Sequence, residues 1–308
     1  MWQQLLTQIR QGNIKALARA ISLVENEYPG YFDFLQSLPL STTQIIGLTG
    51  PPGAGKSTIV DALIGELVTN GKKVGVICVD PSSPFNLGAL LGDRIRMSEW
   101  YNHPNVFIRS LATRGSLGGL HPKIIEITDV MKAAPFDHII IETVGVGQSE
   151  IEIAGLADTT VVALVPEGGD EVQTMKAGLM EIADIFVVNK ADRPGADQFV
   201  RNLHQMLAPG LHKQTIEIPV LKTVASQKEG IKVLMEKILQ HEAHHIASEK
   251  KYWLLAQKAY HLIRQYRMNN LNKQQLKNEI EHAGKKNGYF NLYQYVQTFL
   301  LPPESQKS

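Results

Sequence analysis

Gly50-Pro51-Pro52-Gly53-Ala54-Gly55-Lys56-Ser57 decides the reading of this chain. It satisfies G-x-x-x-x-G-K-[ST], directly after the apolar run Ile45-Ile46-Gly47-Leu48 and before a helix-length stretch. Glycines at these positions let the backbone wrap so that its N–H groups face phosphate oxygens, and the following helix N-terminus adds partial positive charge. Gly53, Ala54, Gly55, Lys56, Ser57 and Thr58 are the phosphate-binding candidates. Lys56 is placed to reach the β- and γ-phosphates and the Ser57 hydroxyl to bind Mg²⁺.

Downstream lie further short apolar runs: Val74 to Val79, Val106 to Ile108, His138 to Ile141, Thr160 to Val165, Ile185 to Val188 and Ile218 to Leu221. They are rich in Val and Ile and nearly continuous, as strands covered on both faces are. Helix-length stretches between them predict βαβ units and a mainly parallel sheet. The fold class is therefore α/β, with a phosphate-loop domain over residues 41–240. Residues 1–40 read as a helical appendage, in which Asn13 caps a stripe of Ile14, Leu17, Ile21 and Val24. Residues 241–308 read as a helical arm: one helix from His241 to Met268, another from Lys273 to His282 ending before Gly284, then an aromatic-rich end.

In a parallel sheet, ligands bind beyond the carboxyl ends of the strands, and the remaining motifs fall there. Asn189-Lys190-Ala191-Asp192 follows the run Ile185 to Val188 and has the N-K-x-D pattern that reads guanine. A carboxylate at Asp192 accepts both N1–H and the exocyclic N–H of guanine, a donor pair that adenine lacks. Lys190 lies along the base and Asn189 braces the loops. Thr223-Val224-Ala225 resembles a loop whose backbone N–H, at Ala225, meets the guanine O6. Asp80 and Glu142 each end a run beside the phosphate loop; with Ser57 and Asp93 they are the Mg²⁺ candidates, because that ion favours a few oxygen ligands plus phosphate and water. The Gly145 N–H is placed to sense the γ-phosphate. Asp80, Glu142 and Gln148 join Lys56 as catalytic candidates, while Arg94 and Arg114 are read as mainly structural cations.

Composition narrows the partners. The 308 residues are 44% hydrophobic and 20% charged, with 31 basic against 30 acidic side chains. That balance creates no field favouring nucleic acid or an anionic membrane. No apolar run is long enough to span a bilayer. A single cysteine, Cys78, excludes an internal disulfide framework and a multi-thiolate zinc site. The opening MWQQLLTQIRQGN lacks the pattern of a secretory leader. A cytoplasmic location is expected.

Taken together, these motifs resemble the SIMIBI class of P-loop GTPases, and more narrowly the methylmalonyl-CoA mutase-associated GTPase family of the MeaB/ArgK type. The likeness is carried by Ala18-Arg19-Ala20-Ile21-Ser22-Leu23-Val24-Glu25, the phosphate loop, Val79 to Pro84 and Arg114 to Gly119. It continues through Glu142 to Glu150, Gly169 to Gln173, Gly178 to Asp184 and the guanine motif. It implies a GTP-hydrolysing chaperone, with Mg²⁺ as cofactor and GTP and GDP as substrate and product. Its client would be a cobalamin-dependent acyl-CoA mutase, which it loads, protects or reactivates. It also implies a homodimer paired through the carboxy-terminal arm. On this likeness Asp80 and Asp93 fall in the first switch, Glu142 to Gln148 in the second, and Pro166 to Lys176 in the segment that signals to the mutase. Glu142 stands where GTPases usually have Asp, and Glu167 where the family more often has a small residue.

Two other readings compete. A nickel metallochaperone GTPase shares the nucleotide architecture, and His241, His244 and His245 share a helical face; a solvated face is the simpler account. A transport-associated ATPase or kinase is opposed by Asp192. His103 and His121 read as surface or loop histidines, and Cys78 as a packed core residue.

Overall fold

The structure, a computed structural model, describes residues 1–80, 97–113, 120–144, 152–167, 177–207, 218–244, 249–268, 271–287 and 291–300. The chain divides into two compact units, Met1–Leu255 and Ala256–Ser308.

The first unit opens with α1 (Trp2–Arg10), α2 (Ile14–Glu25) and α3 (Tyr31–Gln36). A seven-stranded parallel sheet follows: β1 (Gln44–Thr49), β2 (Val74–Asp80), β3 (Val106–Ala112), β4 (His138–Glu142), β5 (Thr159–Leu164), β6 (Ile185–Val188) and β7 (Val220–Lys222). Interleaved with them are α4 (Lys56–Thr69), α5 (Ile124–Lys132), α6 (Ala177–Ile182) and α7 (Ala196–Leu207), and α8 (Ile231–His244) closes the series. The spatial order is β3-β2-β4-β1-β5-β6-β7. From β1 the chain travels to one side for β2 and β3, then returns to place β4 against β1. The crevice at this reversal is where a ligand is expected.

Every residue of β2, β4 and β5 is buried, which is why their sequences are apolar without alternation. The edge strands differ from the sequence expectation. β3 runs on through Arg109 and Ser110, half-buried at the sheet margin. β7 begins at Val220, not Ile218, because Pro219 offers only its carbonyl, which accepts the Phe186 N–H at 2.8 Å. Two cores sandwich the sheet. One joins Ile46, Leu48 and Ile140 to Ile59, Val60 and Leu63 of α4. The other joins Ile45, Ile139 and Ile141 to the amino-terminal helices.

Those helices are held mainly by apolar burial. Asn13 accepts the Ala16 N–H and starts α2 as expected. Leu17, Ile21 and Val24 are buried against α5 and the sheet, while Ile14, the first member of the stripe, stays exposed. Those three side chains contribute roughly 5–9 kcal/mol as an upper bound. A charged cluster sets the orientation. Glu25 accepts from Arg109 of β3 at 2.8 Å and faces His121 at 3.5 Å. Lys123 bridges Glu27 (2.7 Å) and Glu126 (3.1 Å). His121, expected at the surface or in a loop, is a loop residue that is buried; its Nδ1 accepts the Lys123 N–H, leaving Nε2 towards Glu25.

The His121 imidazole, opposed by burial and joined by the Arg109 guanidinium, holds the Glu25 carboxyl down at about 2. A carboxyl lowered on folding stabilises the fold above its ordinary value of 4.5, and that contribution disappears as pH falls towards 2. After allowance for solvent screening it is worth about 1–2 kcal/mol. Urea titrations of wild type and Glu25→Gln are expected to differ by that amount at pH 7 and to converge between pH 4.5 and 2. A gap that did not change with pH would contradict the assignment.

The second unit contains the remainder of α9 (Glu249–Met268), then α10 (Lys273–Asn287) and α11 (Leu292–Leu300). α10 continues past Gly284, where the sequence reading stopped it. One helical glycine costs only about 1 kcal/mol, and the Glu281–Lys285 pair spans the position. Tyr295 of α11 donates to Glu279 of α10 at 2.6 Å. Among the described residues no helix is long and apolar enough to cross a membrane.

Candidate nucleotide site

The phosphate loop is shaped by backbone constraints at its two ends. Gly50 has φ +136°, and a Cβ there would stand 2.1 Å from the Ala163 carbonyl oxygen. Gly55 has φ +83° just before α4, and a Cβ there would stand 2.4 Å from Asn189 Nδ2. Only glycine lets the loop leave β1 against β5 and enter α4 against the guanine-motif loop. Between these ends Lys56 is buried and its ammonium donates to the carbonyls of Gly50 (2.9 Å) and Pro51 (3.1 Å). The chain thus closes around its own lysine. Thr58 lies half-buried in the first turn of α4.

Strand pairing brings the carboxylates to this loop. Leu48 of β1 and Cys78 of β2 both pair with Glu142 of β4, and Asp80 is two residues further along β2. Both acids are buried. The Ser57 hydroxyl donates to Glu142 Oε1 at 2.7 Å. A hydroxyl and two carboxylates at a phosphate loop form the hard oxygen donor set that suits Mg²⁺, so the residues present fit that ion. The longer Glu142 side chain does reach the end of the phosphate loop.

Asn189 holds the base-reading side to the phosphate side. Its Nδ2 donates to the Ala54 carbonyl at 2.9 Å, and its Oδ1 accepts from the Thr223 hydroxyl and the Ala225 N–H, each at 3.1 Å. It is buried, as a side chain with every polar group engaged can be. Lys190 adopts a left-handed conformation (φ 55°) and its ammonium donates to the Gly53 carbonyl at 2.8 Å. Asp192 is exposed one turn further on. The Ala225 N–H, expected to meet the guanine O6, already has Asn189 as acceptor.

Lys56, Ser57, Asp80, Glu142, Asn189, Lys190 and Ala225 therefore converge at the carboxyl ends of β1, β2, β4, β6 and β7. Asp93, Arg94, Arg114, Gly145, Gln148 and Lys176 lie outside the described residues. His245 lies outside the described residues, while His241 is partly buried. Its Nδ1 is 2.9 Å from the Thr159 hydroxyl and its Nε2 is 3.5 Å from Asp184. His103 accepts from the Asn105 N–H, and Cys78 is packed in the core as expected. Sequence reasoning missed Thr49 and gave no role to the Thr143 and Thr223 hydroxyls, which bond to Thr49 and Asn189. Their signal was a hydroxyl at a strand end beside each motif.

The chain matches the family described as methylmalonyl Co-A mutase-associated GTPase MeaB over residues 17–280. It is 49% identical over 246 residues to a Pyrococcus horikoshii protein named as a GTPase, covering 78% of this chain and 77% of that one. It is 42% identical over 193 residues to the GTPase ArgK of Escherichia coli, covering 61% and 58%. The methylmalonic aciduria type A homolog of Caenorhabditis elegans is 39% identical over 207 residues, 62% of this chain and 52% of that one. The crystal structure of a LAO/AO transport system kinase superposes with a TM-score of 0.69 at 27% identity, covering 97% of this chain and 98% of that one.

Proposed function

We propose that this chain, which belongs to the methylmalonyl Co-A mutase-associated GTPase family and is a GTPase, hydrolyses Mg²⁺-bound GTP at the site described and thereby assists a cobalamin-dependent acyl-CoA mutase. The observation that carries the site assignment is Asn189, which ties Ala54 of the phosphate loop to Thr223 and Ala225 of the base loop. One rigid frame then measures a nucleotide from base to phosphate.

Hydrolysis of GTP passes through a loose transition state, so the protein's work is positioning and charge neutralisation. The Lys56 ammonium exchanges the Gly50 and Pro51 carbonyls for β- and γ-phosphate oxygens. The N–H groups at the start of α4 face the same phosphates. Ser57, Asp80 and Glu142 would hold Mg²⁺ directly or through water, the Ser57 hydroxyl then giving up its bond to Glu142. Mg²⁺, when bound, neutralises charge developing on the β- and γ-phosphate oxygens. Asp192 accepts the guanine N1–H and N2–H, and Lys190 covers the base plane. Asp93, Gly145 and Gln148 keep the metal, γ-phosphate and catalytic roles read from the sequence.

The client assignment rests on the family and on the relative named for methylmalonic aciduria type A. Pairing of two chains through residues 241–308 is supported by Tyr260, Ile263 and Tyr266 on α9 and Leu292, Val296 and Phe299 on α11, all large apolar side chains left exposed. A cytoplasmic location and boundaries at residues 40 and 240 complete the proposal. The test is GTP turnover with and without the host's cobalamin-dependent mutases. A slow intrinsic rate that rises at least tenfold with one mutase is expected, because loops ordered by a partner complete the site. Equal rates with every mutase would overturn the client assignment, and a preference for ATP would overturn the site assignment.

A further inference from the structure

Successive residues of a strand point to opposite faces of the sheet, and at the end of β4 this places two polar side chains back to back. Glu142 lies on the face shared by Leu48, Ile140 and α4, where it accepts from Ser57 at 2.7 Å. Thr143 lies on the other face, with Ile45, Ile139 and Ile141. Its hydroxyl donates to Thr49 Oγ1 at 3.0 Å. Its N–H donates to the Leu48 carbonyl at 3.1 Å, extending the β1–β4 ladder by one bond. Thr49 and Thr143 are both buried.

Thr49 immediately precedes the phosphate loop, and Ser57 is the first residue after its lysine. Glu142 and Thr143 therefore grip that loop at both ends, from opposite faces of the sheet. The two grips are not equivalent. The Ser57–Glu142 bond uses a hydroxyl that the proposed metal would need, so Mg²⁺ would compete with it. The Thr49–Thr143 bond involves no group assigned above to nucleotide or metal, so binding has no need to break it.

We propose that Thr143 is a positioning residue for GTP hydrolysis. Its bond to Thr49 fixes the end of β4 against the end of β1, and so places the adjacent Glu142 at Ser57 on the opposite face. The proposal rests on the nucleotide site assigned above. Thr143 touches no substrate. It sets where Glu142 stands relative to Ser57 and the proposed metal, and small misplacements of such groups are costly: about 1 Å can reduce a rate by about a hundredfold.

The experiment compares wild type with Thr143→Val, which keeps the shape and removes the hydroxyl, and Thr143→Ser, which keeps the hydroxyl. Affinity for a fluorescent GDP analogue with Mg²⁺, single-turnover GTP hydrolysis and thermal melting are read for each. Thr143→Val is expected to slow hydrolysis about ten- to a hundredfold while GDP affinity stays within about twofold, and Thr143→Ser to recover most of the rate. The double variant Thr49→Val/Thr143→Val should be no slower than Thr143→Val alone, since the pair acts as one unit. Thr143→Ala against Thr143→Ser makes the same comparison should the valine variant not fold. Wild-type kinetics in Thr143→Val would overturn the proposal, as would GDP affinity falling in step with the rate, or a serine variant as slow as the valine one. Failure of the wild type itself to bind Mg²⁺ and GDP would overturn the site assignment instead.

Discussion

Replacing Asp192 with Asn is expected to convert the site from guanine to xanthine nucleotides. In the proposed site the carboxylate accepts two N–H groups of guanine. An asparagine there still accepts N1–H but points its amide N–H₂ at the exocyclic amine, so donor faces donor. Leaving such groups unpaired against the bound base costs about 2–3 kcal/mol, roughly thirty- to a hundred-and-fiftyfold in affinity. Xanthine carries an oxygen in place of that amine and restores the pair. Asp192 is exposed, so its replacement should leave stability within about 0.5 kcal/mol. The Asn189 and Lys190 contacts to Ala54 and Gly53 should keep the loop in place. Competition binding with GDP, XDP and ADP measures the outcome. Unchanged GDP affinity in the variant would remove Asp192 from the site.

Lys56→Ala carries the second large effect, and here chemistry and stability should separate. In the structure the buried ammonium offsets its lost hydration with the Gly50 and Pro51 carbonyls. Such charge-assisted bonds are worth about 1.5–3 kcal/mol each, while burying the charge costs several kcal/mol. Deletion is therefore expected to shift the melting temperature by only a few degrees. Hydrolysis loses a positive charge that meets developing phosphate charge in a water-poor site, a loss of about 10²–10³ in rate. Single-turnover GTP hydrolysis beside a thermal melt checks both halves. A variant within tenfold of the wild-type rate would deny the lysine its catalytic role.

The phosphate-loop backbone was legible in the sequence because its motif encodes local geometry. A phosphate loop needs glycines and a lysine at set spacing whatever surrounds it, and Gly50 and Gly55 do hold backbone conformations and close approaches that exclude a Cβ. The Val- and Ile-rich runs likewise announced strands buried on both faces. Where the sequence misled, long-range contacts decided. His121 is a loop histidine as read, yet it is buried and not at the surface, with Glu25 of a distant helix and the Lys123 N–H against its ring. His241 looked like one of three solvated histidines, yet Thr159 and Asp184 engage it. The end assigned to α10 missed because one glycine is too small a penalty to stop a helix.

Residue order alone carried the α/β class, the phosphate loop, the guanine motif and the acids at the strand ends, since each depends on neighbours a few positions away. The strand order β3-β2-β4-β1-β5-β6-β7 is different in kind. It sets Glu142 against Ser57, Thr143 against Thr49 and Asn189 against Ala54, pairs separated by 85, 94 and 135 positions. No local pattern encodes those meetings. They follow from burial of two apolar faces of one sheet, which fixes which strands lie side by side and hence which side chains touch.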